Sequence, residues 1–201
     1  VPLRAMGVEN NEVNKFITDS LFMTITNANF DRERFVKRIG KAIDLRDSMR
    51  ALFVSKGGKI EDIKYEGAFW SSKNVEEMES KALEVGVLST ENEDIRSLRE
   101  LTVYGLKGMA AYGEHAFNLG HEDKEIYAFM QRALVDTTND NLSAEQLTGL
   151  VLETGEHGVK VMALLDKANT TRYGNPEITK VNLGVGTNPG ILISGHDLRD
   201  I

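Results

Sequence analysis

Apolar residues recur every three or four positions along most of the chain, the period of amphipathic helices. In residues 10–27 the stripe is Val13, Phe16/Ile17, Leu21 and Ile25. Asn29 or Asp31 can cap the next helix, whose face is Phe35, Ile39, Ala42/Ile43, Leu45, Met49 and Leu52/Phe53 before Gly57-Gly58 stops it. Residues 59–72, with Gly67 and Trp70, read as a long surface connection, and a shorter helix follows up to Gly86. Thr90-Glu91-Asn92-Glu93 and Ser143-Ala144-Glu145-Gln146 both have the form of a capping box. The first opens a long helix from about 91 to 119, closed by Gly120; the second opens one reaching Lys167. Between them Ile126, Phe129/Met130 and Ala133/Leu134 mark a third, and three helices with short connections pack as an up-down-up bundle.

The pattern changes after Asn169. A turn-rich stretch leads to the alternating run 179–185 and to Ile191-Leu192-Ile193, two strand-like runs with no counterpart upstream. Ser194-Gly195 breaks the second run, and His196-Asp197-Leu198 reads as the first turn of a helix. One helical turn has no stability of its own, so the chain is expected to be part of a longer one. An unpaired strand at 190–194 would then expose an edge, favouring dimerisation or disorder.

Composition narrows the function classes. A net charge of −7 without a polybasic run argues against nucleic acid as a partner. The apolar runs are too short to cross a bilayer, and the first twelve residues have no signal-peptide core; cytoplasm is the expected compartment. The absence of cysteine excludes disulfides and any thiolate-held cluster built from these residues alone.

Candidate chemistry is sparse. Residues 184–190, GVGTNPG, have one residue too many for a dinucleotide fingerprint and precede a strand, so they read as a turn. The triplets Gly113-Glu114-His115 and Gly155-Glu156-His157 suggest a metal site between helices, but no histidine has a glutamate three residues before it. In parallel helices the two histidines would lie at depths of about 36 and 21 Å at 1.5 Å per residue, beyond shared ligation. His121 reads as a capping or solvated residue. Gly105, Gly108, Gly113, Gly149, Gly155 and Gly158 each cost about 1 kcal/mol relative to alanine in a helix interior, and close helix packing is the expected reason for them. His196 remains as the one plausible ligand, at the carboxyl end of a strand where open α/β sheets place their sites.

TITNANFD (24–31), ENEDIRSLRELTVYGLKGMAAYGEHAFNLG (91–120), LLDKANTTRYGNPEIT (164–179) and NPGILISGHDLRDI (188–201) together resemble the hybrid cluster protein, or hydroxylamine reductase, family from about Gly7 to Ile201. The resemblance implies a mainly α fold: a helical domain of two three-helix bundles followed by the first strands of an α/β, Rossmann-like domain. Residues 1–88 would be the remainder of a first bundle lacking its opening helix, with a connecting helix, 89–170 the second bundle, and 171–201 the start of the α/β domain. It also implies that His196, in the family's SGHDL string, is an iron ligand of a hybrid iron–sulfur–oxygen cluster. A cubane-type cluster would be bound by a cysteine motif before Val1, and the remaining hybrid-cluster ligands would lie beyond Ile201, so none is expected in this segment alone. The implied partners are a small nitrogen substrate (hydroxylamine or nitric oxide), a protein electron donor, the rest of the same polypeptide and a possible second copy. The segment itself is expected to be inactive and structural. The alternatives are a helical domain of a carbon monoxide dehydrogenase-like protein and a non-catalytic helical interaction module.

Overall fold

The computed structural model describes residues 1–192. The helices are α1 (Pro2–Ala5), α2 (Asn11–Met23), α3 (Arg32–Ser55), α4 (Val75–Val85), α5 (Glu93–Asn118), α6 (Lys124–Asp136) and α7 (Ala144–Tyr173). Their starts are set by polar side chains that accept otherwise unsatisfied backbone N–H groups. Asn10, Asp31, Asn74, Asn92, Asp123 and Ser143 cap α2 to α7 in that order. The expected capping box at Ser143 and Gln146 is present, each side chain reaching the other's backbone N–H. The one expected at Thr90 is not: Asn92 takes the N–H groups of Asp94 and Ile95, and α5 starts two residues later than anticipated. Thr90 Oγ1 instead accepts from Arg99 at 3.1 Å.

Left-handed glycines close α1, α3 and α5 in the same way, with Gly7 (φ +75°) donating to Arg4 O and Val8 to Leu3 O after α1. After α5, Gly120 (φ +80°) donates to Phe117 O and His121 to Ala116 O. After α3, Gly57 (φ +89°) and Gly58 repeat this arrangement onto Val54 and Phe53. All three show the 6→1 and 5→2 pairing that glycine permits at no steric cost. α7 continues six residues beyond the expected end at Lys167, to Tyr173, and is followed by Gly174 (φ +83°). The turn-rich composition of 169–173 did not break it, because nothing there forbids helical backbone angles.

The core is formed by α5, α6 and α7. Leu106, Met109 and Ala110 of α5, Ile126, Phe129, Met130 and Ala133 of α6, and Leu147, Leu150 and Val161 of α7 make one buried cluster. A Cβ on Gly105 would lie 2.6 Å from Thr154 Cγ2, and one on Gly113 would lie 3.9 Å from Val161 Cγ2. Both contacts advance along the two helices together, so α5 and α7 run parallel with α6 in the groove on one side. Helix α2 also lies on α5: Thr18 faces Gly113 at 3.8 Å, and Leu21 and Phe22 pack on the core cluster. In α3 only Phe53 is buried, and the connection after it is held to α3 by Arg46 and Arg50, which donate to the carbonyls of Gly67, Ala68 and Trp70.

α2–α3 and α6–α7 are built alike. α2 and α6 are each 13 residues long. Each leads through a related pentapeptide, Thr-Asn-Ala-Asn-Phe (26–30) and Thr-Asn-Asp-Asn-Leu (138–142), to the cap of a long helix. The spacing of this correspondence, about 112 residues, is longer than the 20–50-residue periods by which repeat proteins show themselves in sequence.

The expected strands are not formed among the described residues. Residues 174–192 have no ladder and are exposed, with Ile178, Val181, Leu183, Val185, Ile191 and Leu192 standing in solvent. An alternating segment becomes a strand only against a neighbouring one, and none of the described residues supplies it. Residues 193–194 of the second run lie outside the described residues.

Candidate functional site

His196, the one ligand expected from sequence, also lies outside the described residues. The other three histidines are held apart. His157 stacks on Phe129 with centroids 3.9 Å apart, and its Nδ1 lies 3.0 Å from Glu153 O. His115 meets Phe22 edge-on at 5.7 Å. His121 Nδ1 lies 3.1 Å from Leu119 O, beside the end of α5 that its backbone closes. Each imidazole thus serves packing or a local cap. Among the described residues no three His, Asp or Glu side chains are grouped to hold a metal ion.

Two polar constellations not anticipated from sequence lie at the junction of α2 with the bundle. In the first, Asn14, only 2% exposed, accepts through Oδ1 from Arg4 (2.5 Å) and Gln131 (2.8 Å), while Arg4 Nε donates to Gln131 Oε1 at 2.9 Å. Glu9 accepts from Asn14 and pairs with Lys124 at 3.0 Å, which holds its carboxyl below the ordinary glutamate range. This network forms part of a cleft of about 370 Å³ whose other walls are mostly apolar, among them Val13, Ile17, Leu45 and Met49.

In the second, Lys15 pairs with Glu114 and lies 2.8 Å from Asp19 Oδ1, within ion-pair distance but without hydrogen-bond alignment. Burial, then the neighbouring Asp19, pushes the Glu114 carboxyl above its ordinary range. Tyr127 donates to Glu122 Oε2 at 3.2 Å, and its hydroxyl is pushed well up, by burial first and Glu122 next. Asp19 and Glu114 form the floor of a second cleft of about 440 Å³, rimmed by Arg34, Lys37, Arg38 and Lys41 of α3. No nucleophile stands beside a base in either cleft. Both constellations tie helices together, and a sequence pattern cannot reveal them because their members are up to 127 residues apart.

Comparison with known proteins supplies what this geometry does not. The model of the Prismane/CO dehydrogenase family matches residues 4–201. The chain belongs to that family. Within it, this family member is 60% identical over 198 residues to a hydroxylamine reductase of Desulfitobacterium hafniense (strain Y51), covering 98% of this chain and 36% of the relative. It is 63% identical to the hydroxylamine reductases of Clostridium novyi (strain NT), over 97% of this chain and 35% of the relative, and of Parabacteroides distasonis, over 99% and 36%. The chain thus spans about a third of the length of these curated relatives. Family membership agrees with the resemblance read from the sequence and with the mainly helical architecture. No helix among the described residues is long and apolar enough to cross a membrane.

Proposed function

We propose that this chain is the helical part of a hydroxylamine reductase, and that it braces the cluster-binding remainder of the protein rather than carrying out the reaction itself. The observation that carries this reading is the identity of 60–63% to proteins of that name over nearly the whole chain and only about a third of theirs. The same names favour this over a carbon monoxide dehydrogenase-like role. A free-standing interaction module has no specific support.

The donor set is consistent with a bracing role. An iron–sulfur cluster needs thiolates, and the chain has no cysteine. The residues present therefore cannot hold a cluster by themselves. His196 is proposed as one imidazole ligand to a hybrid iron–sulfur–oxygen cluster whose other ligands, like the cubane-type cluster, belong to the rest of the protein. When bound, the clusters would supply the electrons that reduce hydroxylamine or nitric oxide, fed by a protein electron donor in the cytoplasm. Helical domains of two three-helix bundles fit the observed correspondence. α6–α7 has α5 as third member, whereas α2–α3 has no equivalent of its own, and α3 buries one residue where α7 buries five. The first bundle is accordingly read as incomplete and residues 171–201 as the start of an α/β domain.

Anaerobic purification of the 201-residue chain and of the full-length protein tests this. The full-length protein is expected to contain iron and acid-labile sulfide and to reduce hydroxylamine. Its His196→Ala variant should lose hybrid-cluster iron while keeping the cubane-type signal, and the short chain should contain neither iron nor sulfide. Stoichiometric iron in the short chain, or a full-length protein without sulfide, would overturn the reading.

A further inference from the structure

Of the six glycines inside α5 and α7 only Gly105 has a steric reason in this structure, and four face open space. A Cβ on Gly108, Gly149, Gly155 or Gly158 would meet nothing within 4 Å, although glycine weakens a helix interior. Gly108 and Gly155 stand in apolar stripes. On α5 the stripe is Leu101, Tyr104, Gly108 and Tyr112; on α7 it is Leu152, Gly155, Val159 and Met162. Tyr104 is 70% and Leu152 71% exposed, and Leu101, Val159, Met162 and Tyr112 are also exposed.

Both stripes are on one face of the parallel pair. Gly105 and Thr154 mark where α5 and α7 face each other. From Thr154, α6 contacts α7 on the side of Glu153 and His157, and from Gly105 it packs on the side of Leu106 and Met109. At 100° per residue the two stripes fall on the opposite flank of each helix. They therefore flank one shallow groove behind the bundle, with glycines along both sides. Apolar exposure on this scale, contiguous over two helices, marks an interaction surface rather than ordinary surface scatter.

We propose that this face seats the portion of the full-length protein that the present chain does not span, with Gly108 and Gly155 admitting its backbone or side chains to close approach. This rests on the reading above and specifies the surface by which bracing would occur. Two observations select that occupant. The relatives are nearly three times the length of this chain, so the covering mass belongs to the same polypeptide. Tyr173, at the end of α7, is exposed, and after it residues 174–192 leave the bundle with their apolar side chains unburied. The face and the emerging segment are thus two exposed apolar surfaces on the same bundle, and one packed domain would cover both.

Hydroxyl-radical footprinting of the unmutated full-length protein and of the 201-residue chain, across a range of concentrations, tests the proposal. Tyr104, Tyr112 and Met162 are expected to oxidise more slowly in the full-length protein by about fivefold or more, as side chains do on entering a close-packed interface. That protection should not vary with concentration. Equal rates in the two proteins would overturn it. Protection of these residues in the 201-residue chain that grows with concentration would overturn it too, and would assign the face to a second copy. The footprint is independent of catalysis: protected residues in a full-length protein unable to reduce hydroxylamine would remove the functional reading and leave the surface standing.

Discussion

The glycines separate two physical situations that look the same in sequence. Gly105 is held by contact, so Gly105→Ala should force Thr154 or the helix axis to move, with a loss of about 1–3 kcal/mol. Gly108→Ala in the 201-residue chain meets open space and should gain about 0.5–1 kcal/mol from helix propensity. Urea unfolding of the two variants checks both signs. The expectation that close helix packing explains all six glycines holds for Gly105 alone, because a Cβ on Gly113 would make ordinary contacts at 3.8 and 3.9 Å and the other four face open space. Spacing along a helix does not say which flank meets a neighbour. Glu114 gives a second test. Its raised carboxyl means that the folded chain holds the proton more tightly than the unfolded one, so its contribution is complete below the ordinary value of about 4.3 and is lost as pH rises through the folded value. Glu114→Gln cannot ionise, so the urea midpoint of the wild type should fall relative to the variant as pH rises above about 4.3. A difference constant from pH 4 to pH 7 would show that Glu114 titrates as an ordinary surface carboxylate.

Among elements, the helices were legible wherever caps and periodicity agreed. Asp31, Gly57, Gly86, Gly120 and Ser143 end or begin helices as their chemistry suggests. The capping box at Thr90 failed for a tertiary reason. Arg99, with a side chain 9% exposed, bridges Thr90, the Asn139 carbonyl and Asp140, fastening the start of α5 to the α6–α7 connection. Arg99→Ala should therefore cost about 2 kcal/mol, in the range for hydrogen bonds to charged groups. Asp140 is 91% exposed, so Asp140→Ala should cost much less. Ser143→Ala, removing a local cap, should cost about 1 kcal/mol. Thermal unfolding of the three variants ranks them, and an Asp140 variant as damaging as the Arg99 variant would contradict this account.

Across the whole molecule, the helical class and the change of character near residue 170 were legible, but the packing was not. Nothing in the stripe of α2 says that Thr18 will meet Gly113, and the buried Asn14 sits within that stripe without announcing its partners Arg4 and Gln131. The strand-like runs show the converse. Their alternation is real, but a strand is a property of a sheet and not of a segment. Limited trypsin digestion should accordingly cut first at Lys180, in the exposed tail, and leave a stable core ending near Tyr173. Mass spectrometry of the first product checks this, and early cleavage within α5 or α7 would contradict it. The position of His196, after a strand-like run, marked it as a candidate ligand, but its proposed role toward iron rests on the resemblance, since an isolated imidazole does not specify a metal.

The parallel pairing of α5 and α7 also sets an order of events during synthesis. The partner of Gly105 is Thr154, and α6 must be made in between. At about 5–20 residues per second, α5 leaves the ribosome about 2–10 s before the surface that will bury it. In that interval its inner stripe, Leu106 to Ala116, is exposed to any chaperone that binds nascent apolar helices. Local helix formation is complete within microseconds, so maturation of the bundle is timed by translation and not by the speed at which its helices form.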